Sequence, residues 1–185
     1  MGIITNNRMT KLKFTLFFAC LLFATSAFSQ TDKAQSDSYL NTGYKGMVDI
    51  GYGIGTSKWG TGRIELATTH GYHFFPFLYA GVGIGANYYH DRKAWSIPVF
   101  ANIRGYLPLS DPQLSPFADI RVGYSVADID GFYFSPSIGL RYGVNEQYGL
   151  AFSIGYEIQN FNTIDLPKLK KKDNSAFTMR FSFDF

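Results

Sequence analysis

The chain has 185 residues, 19 of them glycine, with 18% aromatic and only 17% charged side chains. Its length allows one domain, and aromatic richness with so little charge excludes a disordered chain. The formal charge of +3 comes from the first thirty residues: 17 basic residues less Arg8, Lys11 and Lys13 leave 14 against 14 acidic ones. The remainder is neutral, which excludes a nucleic-acid partner that would need a basic stripe.

The chain opens with those three basic residues and an apolar run from Phe14 to Phe23. Ten residues is signal-peptide length and about half a membrane-spanning helix. Small residues follow, and Ala27 and Ser29 take the −3 and −1 places if cleavage falls before Gln30. We expect a cleaved signal peptide over 1–29, with translation starting at Met1 or Met9, and a short N-terminal periplasmic segment over 30–43. Cys20, the single cysteine, lies inside the apolar run and not at its end, which argues against lipid attachment there. The mature chain would carry no thiol.

From Tyr44 onward the pattern is alternation, the mark of strands. Eight predicted strands run from about Tyr44 to Ile54, Gly62 to Phe74, Leu78 to Tyr88, Ser96 to Leu107, Phe117 to Val126, Phe132 to Val144, Tyr148 to Gln159 and Ala176 to Phe185. Turn-forming links such as His90 to Lys93, Ser110 to Pro112 and Asp128 to Gly131 separate them, and the last link, Asn160 to Ser175, is the longest. This predicts an all-β, eight-stranded antiparallel up-and-down barrel over 44–185.

Alternation alone does not say which face points outward. One face holds only uncharged, mostly apolar side chains. The other holds Lys45, Asp49, Arg63, Glu65, Arg104, Asp119, Arg121, Arg141, Glu157, Arg180 and Asp184 among glycines and serines. Glycine weakens a water-facing strand, whereas inside a narrow barrel it makes room for long arginines. Six positive and five negative groups also nearly cancel, as a buried set must. The polar face is therefore read as lumen and the apolar face as lipid-exposed, making a transmembrane barrel. Aromatics near strand ends, Phe74, Phe75, Phe77 and Tyr79 at one turn and Tyr88, Tyr89 and Trp95 at another, are expected to form interfacial girdles. Register arithmetic places Asp119 between Arg104 and Arg141, and Asp49 level with Arg180 across the closing seam.

A signal peptide, eight alternating strands and an aromatic last strand ending in Phe185 resemble the small outer-membrane barrels of the OmpA/OmpX type. The glycine-and-aromatic strand style and the stretch Ala27 to Gln30 are most similar to the Bacteroidetes "outer membrane protein beta-barrel domain" family. The resemblance implies a bacterial outer-membrane location and contact with membrane lipid and lipopolysaccharide. It also implies an assembly signal at Phe181, Phe183 and Phe185, read by the barrel assembly machinery.

Candidate chemistry is sparse. His70 and His73 stand three apart in a strand, which turns their rings to opposite faces and defeats shared metal ligation. His90 lies in a link beside Asp91, with Ser96 in the same hairpin and no serine closer. Gly51-x-Gly53-x-Gly55 and Gly81-x-Gly83-x-Gly85 alternate inside strands and open no helix, so they are not phosphate loops. Lys168, Lys170, Lys171 and Lys172 form the one concentrated charge feature, a possible contact for lipopolysaccharide phosphates or another polyanion. The reading is a non-enzymatic, monomeric envelope or surface-interaction barrel with a charge-plugged interior and no cofactor, metal or catalytic residue. The alternatives are a lipid A or phospholipid-modifying enzyme, which needs a His–Ser pair, and a narrow pore, which needs the interior ions to separate.

Overall fold

A computed structural model describes residues 40, 42–56, 61–107, 109–111, 113–145, 147–161 and 172–185. The expected signal peptide and most of the 30–43 segment lie outside these residues, as do Lys168, Lys170 and Lys171. Eight strands follow in chain order: β1 Gly43–Gly55, β2 Arg63–Phe75, β3 Leu78–Tyr89, β4 Ala94–Tyr106, β5 Leu114–Val126, β6 Gly131–Gly143, β7 Gly149–Phe161 and β8 Lys172–Asp184. Each pairs antiparallel with the next, and β8 closes on β1. No described helix is long and apolar enough to cross a membrane, which says nothing about crossing by strands.

The register fixes the barrel's shape. Stepping sideways from Gly43 passes through His73, Tyr79, Arg104, Asp119, Ser137, Gly155 and Thr178, and returns to β1 at Gly53, ten residues further along. Eight strands with that stagger tilt by about 40°. Thirteen residues, at about 3.3 Å each and tilted so, rise about 30 Å, the thickness of a bilayer's hydrocarbon core.

The two faces separate as their composition requires. Outward positions such as Ile50, Leu66, Val82, Ile103, Ile138 and Phe181 are more than half exposed. No described strand side chain on that face is Lys, Arg, Asp or Glu. The eleven charged residues of the other face are all buried. The barrel is thus inverted relative to a water-soluble one: its interior is polar and its exterior apolar.

Three details depart from the alternation pattern. β7 runs on to Phe161 and β8 begins at Lys172, so residues predicted as link belong to strands. Lys172-Asp173-Asn174-Ser175 is polar throughout and has no apolar alternation to read. Tyr79 and Tyr89 are fully buried and face the lumen, not a girdle, whereas Phe74, Phe75 and Trp95 are exposed on the outer face. Finally, Leu40, ahead of β1, is buried with Met47, Tyr79, Tyr106, Phe117 and Ala151 in an apolar cluster. These side chains floor the lumen at the rim where β1 begins, called here the lower rim.

Candidate functional site: the charged lumen

Every charged side chain in the lumen is placed by strand parity, since alternate residues share a face. Arg63 and Glu65 are two apart on β2, and Arg104, Asp119, Arg121, Arg141, Glu157, Arg180 and Asp184 follow from β4 to β8. Glycines opposite clear the space: a Cβ on Gly51 would lie 2.9 Å from Arg180 Cγ, and one on Gly149 would lie 2.5 Å from Arg141 Nη2.

The charges sort into tiers along the barrel axis. In the upper tier Arg63 Nε meets Glu65 Oε1 at 2.8 Å and Arg63 Nη2 meets Glu157 Oε1 at 2.8 Å. Arg180 Nε meets Glu65 Oε2 at 2.9 Å, and its Nη2 meets Glu157 Oε2 at 3.2 Å. Each guanidinium therefore touches both carboxylates, and the four side chains close a ring. Ser135 Oγ accepts a further bond from Arg180 at 2.7 Å. In the middle tier Arg121 Nη2 reaches across the barrel to Asp49 Oδ2 at 2.8 Å. Arg104 donates to Asp119 Oδ2 through Nε and Nη2, at 3.2 and 2.8 Å. Ser137 donates to Asp119 at 2.6 Å, and Ser182 donates to Asp49. In the lower tier Arg141 binds Asp184 through Nε and Nη2, the latter at 2.6 Å.

Aromatic rings share the lumen with the ions. Arg104 stands over Phe117 at 4.1 Å, Arg121 over Phe100 at 5.2 Å and Arg63 over Tyr89 at 5.5 Å, a favourable cation–π geometry for a desolvated guanidinium. Sequence reasoning missed these inward rings, although parity held the signal: Phe100 shares the face of Asn102 and Arg104. Across the upper tier Tyr89 donates to Gln159 Oε1 at 2.6 Å, and Gln159 donates to Ser96 at 2.8 Å. Between tiers, Asp49, Glu65, Arg121 and Arg180 border a cavity of about 10 Å³, about the space of one water.

Two predicted pairings are corrected by the register. Asp119 does face Arg104, but on its other side it faces Ser137, while Arg141 faces Ser115 and bonds Asp184. The cause is the four-residue link between Val126 and Gly131. With Ala127 and Gly131 both at positive φ, it pairs Ser125 with Gly131 and centres the hairpin two residues earlier than assumed. Asp49 lies level with Ser182, not Arg180, which pairs with Gly51. Both errors are even-numbered slips, which leave every side chain on its face.

The residues considered for chemistry do not converge. His73 is buried in the lumen between Tyr79 and Tyr106, while His70 is exposed outside. His90 Nε2 lies 3.2 Å from the Tyr52 hydroxyl, whereas Ser96 is fully buried on Gln159. No group of three or more metal-ligating side chains gathers among the described residues.

Fold and lumen together define a class: an eight-stranded transmembrane β-barrel. The chain is similar to Neisserial surface protein A, with a TM-score of 0.60 and 12% identity over 78% of this chain and 97% of that one. It is also similar to the outer membrane protein OprG from Pseudomonas aeruginosa, with a TM-score of 0.50 and 12% identity over 80% of this chain and 99% of that one. At such identities the likeness is one of fold. No protein-family model matches the chain, and no curated protein does.

Proposed function

We propose that this protein is a non-enzymatic bacterial outer-membrane barrel with a sealed interior, serving envelope structure or surface interaction. The observation that carries this is the closed ring of Arg63, Glu65, Arg180 and Glu157, stacked on the Arg121–Asp49 pair. Buried opposite charges in contact give each other up only at a cost of several kcal/mol, so solutes are not offered a path. The outer-membrane location follows the barrel's lipid-facing exterior, the leader-like first thirty residues and the likeness to two proteins described as surface or outer-membrane proteins. The finer assignment is to the Bacteroidetes-type barrel family, as a monomer.

In this reading the lower rim faces the periplasm, and Phe181, Phe183 and Phe185 are read by the barrel assembly machinery. The link between β7 and β8 then faces outward, and Lys168, Lys170, Lys171 and Lys172 meet lipopolysaccharide phosphates. Recording from planar bilayers tests the sealed interior: the expected result is no steady conductance, and a large long-lived open state would overturn it. Replacing the four lysines by glutamine should weaken lipopolysaccharide binding, and the loss should shrink as salt rises. Unchanged affinity would remove that contact from the account.

A further inference from the structure

Close to the lower rim, the outward face of β1 and β2 carries a polar cluster. Thr68 and His70 stand on the outer face of β2, and Tyr44 of β1 leans over them. The Tyr44 hydroxyl is 2.6 Å from His70 Nδ1, and the two rings stack at 6.1 Å. Thr68 Oγ1 is 3.0 Å from His70 Nε2 and donates to the Met47 carbonyl at 3.2 Å. Thr68 has one hydroxyl proton and spends it on Met47, so Nε2–H must donate to Thr68, and Nδ1 accepts from Tyr44. The imidazole is held by both nitrogens.

Its next contact is Phe185. The two rings meet edge-on, with centroids 6.4 Å apart at 76°. Phe185 N–H donates to the Gly46 carbonyl at 2.9 Å and Gly46 N–H donates to the Phe185 carbonyl at 2.8 Å. The Phe185 ring lies directly on Gly46, so that a Cβ there would come within 2.7 Å of two ring carbons. We propose that Gly46, Tyr44, His70 and Thr68 form a seat that receives Phe185 and sets the register in which β8 closes on β1.

The seam needs such a device. The other seven strand pairs are joined by a chain link that restricts register, but β1 and β8 are not. A two-residue slip would keep every side chain on its proper face, and β8 presents Phe177, Phe181, Phe183 and Phe185 outward in repeating style. Gly46 breaks the degeneracy. The outward positions of β1 are Tyr44, Gly46, Val48, Ile50, Tyr52 and Ile54, and Gly46 alone lacks a side chain. Slipped either way, Phe185 would meet Tyr44 or Val48 instead of a vacancy walled by an imidazole.

Disulfide trapping in a Cys20→Ala background, after refolding into lipid vesicles, tests this. Ile50→Cys with Phe181→Cys reports the native pairing. Val48→Cys or Tyr52→Cys with Phe181→Cys reports the slips. The native cross-link alone should form when the seat is intact, and slipped cross-links should rise several-fold with Phe185→Ala, His70→Leu or Gly46→Val. The native register unaltered in all three variants would overturn the proposal. If Gly46→Val does not fold, refolding yields of Gly46→Ala and Phe185→Ala, singly and combined, decide. Gly46→Ala should lower the yield where the ring is present and not where it is absent, while independent effects would overturn the seat.

Discussion

Arg63, Glu65, Arg180 and Glu157 form a ring in which every charge touches two of the opposite sign, and this makes the interior sensitive to single substitutions. Arg180→Met leaves two buried carboxylates to share Arg63 alone. It should lower unfolding stability in micelles by about 3–5 kcal/mol, measured by urea titration; a loss under about 1 kcal/mol would mean that water already screens the ring. Glycines divide by what surrounds them. A Cβ on Gly123 would sit 2.0 Å from the Val99 carbonyl oxygen, whereas one on Gly105 would meet nothing nearer than 4.0 Å. Gly123→Ala should therefore cost about 1–3 kcal/mol and Gly105→Ala very little, by the same titration. At this scale parity made the lumenal arginines and carboxylates legible in the sequence. It would equally have turned Tyr79, Tyr89 and Phe100 inward, but the preference of aromatics for membrane interfaces pulled Tyr79 and Tyr89 into the girdles.

Strands were legible where the bilayer imposes a two-residue period and illegible where it does not. β6 could be read from Phe134, Ile138, Leu140 and Tyr142. The start of β8 could not, because Lys172 to Ser175 is polar throughout and offers no apolar alternation. Depth in the bilayer governs substitution on the outer face. Ile138 is 62% exposed well inside β6, and Trp95 is exposed near the start of β4. Ile138→Arg should destabilise the folded barrel by about 2–4 kcal/mol and Trp95→Arg by about 1 kcal/mol or less. Equal penalties, measured by equilibrium unfolding in lipid vesicles, would contradict the placement of the bilayer around the middle of the strands.

For the molecule as a whole, closure could be foreseen from strand number, length and face composition, whereas the seam's register could not. Pairs within hairpins depend on links whose residues are visible in the sequence, and even there the 127–130 link misled by two residues. The β1–β8 pairing depends on the barrel's ten-residue stagger, a property of all eight strands together, so Asp49 and Arg180 could not be matched in advance. The central claim is that the chain closes into a barrel in the outer membrane with its charges inside. Gel mobility of outer-membrane fractions, with and without boiling, tests it most directly. The account predicts that the protein is in that fraction and migrates faster unheated, as a compact barrel, than after boiling. The same mobility under both conditions, or a protein found only in the soluble fraction, would contradict it.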